Sequence, residues 1–162
     1  MSANPAGFSL RKSPVRQYRS RARISQSGLF RFVITWELDS MKCLLLIAHG
    51  SRRQSANDEI KALADRIAGR ADNDYAAVVP AFLELAEPNI HEGIKHCIDL
   101  GASDIVVMPY FLAAGNHVNK DIPGEIACAR AGAPGVRIEM SQYLGANEAM
   151  AGLVLDCARR TG

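Results

Sequence analysis

The stretch that decides the fold is CLLLIA at residues 43–48, which is followed immediately by His49-Gly50-Ser51. Six consecutive apolar residues have the length of a strand, and no polar residue alternates with them. A strand of this kind is buried on both faces, which is typical of parallel sheets covered by helices. The segment therefore predicts the first strand of an α/β domain, with His49 at its carboxyl end.

The chain that follows repeats this pattern of strand and helix. In the first predicted helix, Ile60, Leu63 and Ile67 recur at helical spacing, and Ser55 or Asn57 is the expected N-cap. The predicted strands are residues 43–48, 75–83, 105–110 and 136–140, and the predicted helices are residues 56–68, 89–100, 121–131 and 147–160. Four such units predict a small doubly wound, four-stranded, mostly parallel sheet flanked by helices, with right-handed crossovers.

The first 40 residues differ from the rest of the chain. They carry seven Lys or Arg against Glu37 and Asp39, about +5, whereas the remainder carries about −3. Arg- and Ser-rich sequence without periodicity cannot bury enough apolar surface to fold alone. Residues 1–40 are interpreted as a targeting peptide, a basic disordered tail, or an extension upstream of a true start at Met41, which we favour. Residues 41–162 form the predicted domain.

Composition excludes several classes of function. Because the predicted domain is mildly acidic, nucleic acid is not an expected partner. No apolar run approaches the length of a membrane span, so a cytoplasmic protein is expected. The four cysteines, Cys43, Cys97, Cys128 and Cys157, form no C-x-x-C pair and lie in apolar or helical contexts, so we expect buried free thiols.

Three strands deliver polar side chains to one edge of the predicted sheet. His49 follows the first strand, Glu84 ends the second, and His117 lies in the loop after the third. Parallel sheets bind ligands at the carboxyl ends of their strands. Imidazole binds divalent transition metals and also accepts protons near neutral pH. Two structural alternatives stay open: His49 caps its strand, or Glu84 favours the start of the next helix.

Other residues near this edge suit the binding of an anionic or aromatic ligand. Arginine side chains bind carboxylates well, and helix N-termini favour anions. The aromatic segment around Phe111 either belongs to the core or forms a wall for a flat ligand. The candidate binding residues are Ser51, Arg52, Arg53, Phe111, Asn116, Asn119 and Lys120. Glu87, His91 and His96 are interpreted as ordinary helix-start or helix-surface residues.

Three strings, LLLIAHGSR, AFLELAEPNI and IVVMPYFLAAGNHVNKDIP, occur in this order and spacing. They closely resemble the short CbiX-type sirohydrochlorin chelatases, members of the class II chelatase superfamily. The resemblance is strong from Met41 to Pro123 and weaker towards the C-terminus. Each string falls at the end of one predicted strand.

The resemblance implies a lyase that inserts Co²⁺ or Fe²⁺, with Ni²⁺ as a further candidate, into sirohydrochlorin without ATP, in cobalamin or sirohaem biosynthesis. It implies that His49 and His117 handle the metal and the pyrrole protons, with Glu84 as their acidic partner. The metal is then a substrate, and no cofactor is retained. Longer family members contain two such domains, so a homodimer is expected here.

Two other functions remain open. A tetrapyrrole or metal carrier would bind through the same histidines without turnover. A histidine phosphatase also places a His-Gly turn after a strand, but its nucleophile typically follows an arginine, and Ala48 occupies that position here. The residues do not select between the metals, because imidazole and carboxylate accept all of them.

Overall fold

The computed structural model describes residues 41–71 and 74–160. Residues 1–40, including the basic segment, lie outside this range. Four parallel strands form one sheet in the order β2-β1-β3-β4, with β1 at Lys42–Ala48, β2 at Ala77–Phe82, β3 at Asp104–Pro109 and β4 at Arg137–Met140. The predicted parallel α/β fold is confirmed.

Four α-helices connect or follow the strands: α1 at Gln54–Arg70, α2 at Ile90–Asp99, α3 at Ile122–Gly132 and α4 at Met150–Arg159. A π-helical turn, His117–Asp121, runs directly into α3, so part of the predicted loop after β3 is helical. A 3₁₀ turn, Leu144–Ala146, precedes α4. The predicted start of α4 at residue 147 was wrong, because the Asn147 side chain accepts a bond from the Ala149 amide ahead of the helix.

The main core lies between the sheet and helices α2 and α3. Cys43, Leu45 and Ile47 alternate along β1 on this face and are fully buried. Ile94 of α2 and Ile126 of α3 pack into the same cluster at 2% exposure each. Helix α1 contacts β2, and its Ala64 is also buried.

The expected N-cap of α1 was wrong. The helix begins at Gln54 after Arg53, and no side chain caps it. Asn57 is instead buried and bonds the Ser51 backbone twice, accepting from its amide at 2.9 Å and donating to its carbonyl at 2.8 Å. The side chain therefore holds the turn after β1 in place. Asn89, by contrast, forms a capping box with Glu92 at the start of α2.

The cysteines divide into two pairs by environment. Cys43 and Cys97 are buried free thiols, as expected, and their hydrogen bond together with burial raises the pKa of Cys97. Cys128 and Cys157 are exposed, so the expectation of burial was wrong for them. Cys128 lies on α3, which turns its opposite face, with Ile122, Ile126 and Ala129, to the core. Cys157 lies on α4, where residues 151–160 are all exposed.

In the part of the chain that the structure describes, no helix combines the length and apolar character that crossing a membrane requires.

Candidate metal centre and active site

Three side chains from three strand ends meet at the carboxyl edge of the sheet. His49, Glu84 and His117 each offer one ligand atom, and these atoms all lie within 4.8 Å of one another. The Nε2 atom of His49 lies 3.0 Å from Oε1 of Glu84, and the two imidazole rings meet edge to face with centroids 5.1 Å apart. Roughly half of each of these side chains is exposed. The cluster is thus open to a ligand from solvent.

The backbone brings His49 and Glu84 together by extending the pairing of β1 with β2. The Leu83 amide donates to the Ala48 carbonyl at 2.9 Å, and the Glu84 amide donates to the His49 carbonyl at 3.0 Å. Gly50 makes this approach possible. Its φ is +92°, and a Cβ there would lie 1.8 Å from the Glu84 carbonyl oxygen.

The π-helical turn positions His117. Val118 and Ile122 of this region are buried in the core at 4% and 0% exposure and hold the turn against the sheet. The Ile122 amide donates to the His117 carbonyl, five residues back. Single turns of this wide type are frequent at functional sites. The turn leaves His117 at the sheet edge while its neighbours contribute to the core.

Asp121 is a candidate site residue that the sequence reasoning missed. Its Oδ2 atom lies 2.7 Å from Nδ1 of His117, and the two residues are four apart. A carboxylate only accepts hydrogen bonds, so Nδ1 carries the proton and Nε2 is left to bind a metal. The spacing in HVNKD was the available signal, but Asp121 had been interpreted only as the start of a helix.

The contact between His49 and Glu84 also has a chemical consequence. The Nδ1 atom of His49 lies 3.2 Å from the Gly50 carbonyl oxygen, which only accepts hydrogen bonds, so a neutral ring that donates there turns the lone pair of Nε2 towards Oε1 of Glu84. A divalent cation between these two acceptors would bind both of them. The cluster therefore suits a metal ion.

The candidate substrate-binding residues lie in two segments, one that directly follows β1 and one that runs from the end of β3 into the π-helical turn. Phe111 is half-buried against the core, and its ring centroid lies 6.4 Å from that of His117. Ser51 is occupied locally, since its hydroxyl accepts from the Arg53 amide at 3.1 Å. The remaining candidates are solvent-exposed: Arg52, Arg53, Asn116, Asn119 and Lys120. Arg52, Arg53 and Lys120 form no ion pair with any of the described residues, so all three cations are available to an anion.

The residues that sequence reasoning kept out of the site lie on or before α2. Glu87 accepts from the Asn89 amide at 2.9 Å, which agrees with its interpretation as a helix-start residue. A hydrogen bond with the Glu92 carboxyl raises the pKa of Glu87. His91 is exposed and His96 is half-buried on the same helix.

Comparison with known proteins identifies relatives of this chain. Residues 43–161 match the protein family CbiX. A sirohydrochlorin cobaltochelatase of Methanococcus maripaludis is 41% identical over 83 residues, which cover 51% of this chain and 56% of that protein. A sirohydrochlorin ferrochelatase of Priestia megaterium is 31% identical over 128 residues, which cover 79% of this chain and 47% of that protein.

A solved structure shows the same fold. The crystal structure of the sirohydrochlorin chelatase SirB from Bacillus subtilis subspecies spizizenii, in complex with cobalt, matches with a TM-score of 0.66 at 32% identity. The match covers 74% of this chain and 50% of that chain. The chain thus spans about half the length of these relatives.

Proposed function

The chain belongs to the CbiX family, and from that premise we propose that it is a sirohydrochlorin chelatase that inserts Co²⁺ or Fe²⁺ into the macrocycle. The observation that carries the proposal is the cluster of His49, Glu84 and His117, with ligand atoms within 4.8 Å of one another at the edge where parallel sheets bind ligands. Relatives named for cobalt insertion and for iron insertion both match this region.

The two histidines and Glu84 first replace water on the incoming ion. His117 binds through Nε2, because Asp121 holds the proton on Nδ1. His49 binds through Nε2 and Glu84 through Oε1, two atoms that lie 3.0 Å apart. Half-exposed ligands allow the ion to enter from solvent and to leave towards the ring. The metal is a substrate in this scheme, and the protein retains none after turnover.

Insertion then releases two protons for each metal ion. Two pyrrole nitrogens lose their N–H protons as the divalent cation takes their place, so the charge balances. When the metal leaves, the lone pairs of His49 and Glu84 are free again, and the pair can take up one proton. The His117–Asp121 pair can take up the second at Nε2, since the adjacent carboxylate stabilises the resulting imidazolium.

The substrate carries several carboxylates, which the exposed cations are suited to bind. Arg52 and Arg53 follow the turn after β1, and Lys120 lies in the π-helical turn, so each histidine has an exposed cation within four residues along the chain. Phe111 offers an apolar surface beside His117 for the flat ring. These contacts would place the macrocycle over the three metal ligands.

A homodimer completes the site in this proposal. The chain covers 50% of the Bacillus protein and 47% of the Priestia protein, which leaves room for two such units in each relative. A single copy presents its ligands on an open edge, with about half of each side chain exposed. A second copy facing this edge would enclose the macrocycle between two lobes.

The decisive experiment follows the absorption of sirohydrochlorin with excess Co²⁺, and separately with Fe²⁺ without oxygen, at protein concentrations far below the substrate concentration. A chelatase converts many equivalents of substrate, at a rate above the spontaneous one. A carrier stops at one equivalent. Conversion that ends at one equivalent with every metal, or that never exceeds the spontaneous rate, would reject the proposed function.

A further inference from the structure

Asn57 of α1 is buried and uses both ends of its amide group on one residue of the turn that follows β1. The Ser51 amide donates to Oδ1 of Asn57 at 2.9 Å, and Nδ2 of Asn57 donates to the Ser51 carbonyl at 2.8 Å. Asn57 is 4% exposed, so little water competes for these bonds, and hydrogen bonds in such surroundings are stronger than those at the surface. The two bonds together fix the orientation of the Ser51 backbone.

The needs of the helix do not explain an asparagine at this position. Because α1 begins at Gln54, Asn57 is its fourth residue and lies beyond the N-cap position that asparagine favours. Inside a helix asparagine is less favourable than alanine, since its side chain competes with the backbone for hydrogen bonds. The helix alone would therefore be more stable with alanine, and the contribution of Asn57 lies in its contact with the turn.

The bond from the Ser51 amide also determines where the Gly50 carbonyl points. The Ser51 N–H and the Gly50 C=O belong to one peptide group, which is planar and trans, so they point in opposite directions. With the N–H held by Asn57, the carbonyl oxygen is turned away from Asn57. Its neighbour on that side is the imidazole of His49, whose Nδ1 atom lies 3.2 Å from it. Asn57 and His49 thus contact opposite sides of the same peptide group.

The Gly50 carbonyl in turn selects the nitrogen of His49 that faces the metal. A carbonyl oxygen only accepts hydrogen bonds, so this contact keeps the proton on Nδ1 and leaves Nε2 free on the side of Glu84. His117 is arranged in the same way, with Asp121 at its Nδ1 atom. Histidines that bind metals almost always donate their second ring N–H to a carboxylate, a backbone carbonyl or water. Both rings therefore offer Nε2 to the same ion.

We propose that Asn57 is a positioning residue for His49, on which it acts through the Gly50–Ser51 peptide group. Its bond with the Ser51 N–H keeps the Gly50 carbonyl at Nδ1, and that carbonyl keeps Nε2 directed at the metal. Asn57 itself contacts neither the metal nor the macrocycle in this role. The inference rests on the proposed function, which makes His49 a metal ligand.

The test measures how tightly the protein binds a metal ion and through which ring nitrogen His49 does so. Zn²⁺ is the probe, because two histidines and a glutamate form a donor set that it accepts and because its filled d shell leaves NMR spectra undisturbed. Equilibrium titration gives the zinc affinity. Long-range proton–nitrogen NMR spectra of the histidine rings show which nitrogen binds zinc and which carries a proton. In the wild type, His49 should bind through Nε2 and keep its proton on Nδ1.

Asn57→Ala should lower the zinc affinity by about 10-fold, the lower end of the usual loss when a partner behind a metal ligand is removed. Because the Gly50–Ser51 peptide group can then rotate, the spectra should show more than one state of the His49 ring, whereas the His117 ring keeps its single state. Asn57→Leu, which fills a similar volume without hydrogen bonds, replaces Asn57→Ala if circular dichroism shows that the latter is unfolded.

Asn57→Asp separates positioning from stability. In either protonation state the carboxyl group keeps an oxygen that accepts from the Ser51 N–H, so this variant should recover most of the zinc affinity and the single state of His49. It should nevertheless be less stable than the wild type, because a buried carboxylate is costly. A merely structural role would make zinc affinity follow stability in both variants.

Ala64→Gly is the matched control for stability. Ala64 is buried on the same helix, two turns beyond Asn57, and glycine weakens the helix there without contacting the turn. It should lower the midpoint of thermal unfolding and leave the zinc affinity and the His49 spectrum unchanged. All zinc measurements are made at a temperature at which circular dichroism shows each variant to be folded.

Three outcomes would overturn the role of Asn57 and leave the proposed function in place: wild-type zinc affinity in Asn57→Ala, an equal loss in Asn57→Asp, or a wild-type His49 that binds through Nδ1. A wild type in which His49 binds no zinc would reject the metal centre and the inference together. The metal-insertion assay is read separately. If the zinc results are as expected but sirohydrochlorin is not turned over, the chelatase is rejected and the positioning role of Asn57 stands.

Discussion

The two histidines of the site have the same chemistry but different structural support. His49 is held by backbone pairing between two strand ends, with Glu84 as its carboxylate partner at 3.0 Å. His117 is held by a π-helical turn whose neighbours are buried, with Asp121 as its partner at 2.7 Å. The position of His49 depends on the close approach of the Gly50 and Glu84 backbones, which we call the β1–β2 junction. The position of His117 depends on the buried side chains of Val118 and Ile122. The difference shows that the two halves of one site can be damaged in different ways.

Removing either imidazole should have the largest effect. His117→Ala removes a proposed metal ligand without disturbing the core, since Val118 and Ile122 hold the turn. We expect the rate of metal insertion at limiting metal to fall by about 10²–10⁴-fold, the range typical of a positioned acid–base group, with thermal unfolding unchanged. His91→Ala, which removes an exposed histidine from α2, is the control. A His117→Ala variant that keeps most of its rate would disprove the two-histidine mechanism.

Substituting Gly50 should break the β1–β2 junction alone. In Gly50→Ala, the Cβ meets the Glu84 carbonyl oxygen, so the two loops must separate and move His49 from Glu84. A shift of about 1 Å at a reacting centre costs about 100-fold in rate. Insertion kinetics and the midpoint of thermal unfolding would both be measured.

Gly101→Ala is the control that separates the steric clash expected in Gly50→Ala from the backbone strain that both substitutions cause. Gly101 has a φ of +93°, almost the same as Gly50, but its Cβ would meet only the Met41 sulfur at 3.7 Å. The substitution should lower stability by about 1–2 kcal/mol, the usual cost of this conformation for a side chain, and leave the insertion rate unchanged. Equal losses of rate in the two variants would contradict the role assigned to the junction.

Changing Asp121 should have the smallest effect, because it acts through His117. Asp121→Ala leaves Nδ1 without its acceptor, and loss of such a partner typically costs about 10–100-fold in metal affinity or activity. Asp121→Asn keeps an accepting oxygen and should recover part of that loss. Equilibrium titration with Co²⁺ and insertion kinetics measure both, and Glu125→Ala removes a nearby exposed carboxylate as a control. If Asp121→Ala bound metal with the affinity of the wild type, Asp121 would not be a positioning residue for His117.

The fold followed from the sequence because apolar runs and helical spacing are local signals. The order of strands and helices and the buried β1 were all predicted, and Asn89 lies at the predicted start of α2. The prediction that Asn57 caps α1 was wrong. A buried polar side chain forms hydrogen bonds wherever the tertiary structure places a donor and an acceptor, and for Asn57 these belong to the Ser51 backbone. Residues 1–40 lie outside the described chain, so their interpretation stays a prediction.

By itself the sequence determined that His49, Glu84 and His117 follow three strands of a parallel sheet, because strand ends are readable from hydrophobic pattern. Only the tertiary structure decided that their ligand atoms lie within 4.8 Å of one another and that Asp121 faces His117. The physical reason is that spacing along the chain shows on which face of a helix or strand a residue lies, but not how far that residue is from residues of another element. For the site residues, that distance depends on the close approach of Gly50 to Glu84 and on the width of the π-helical turn.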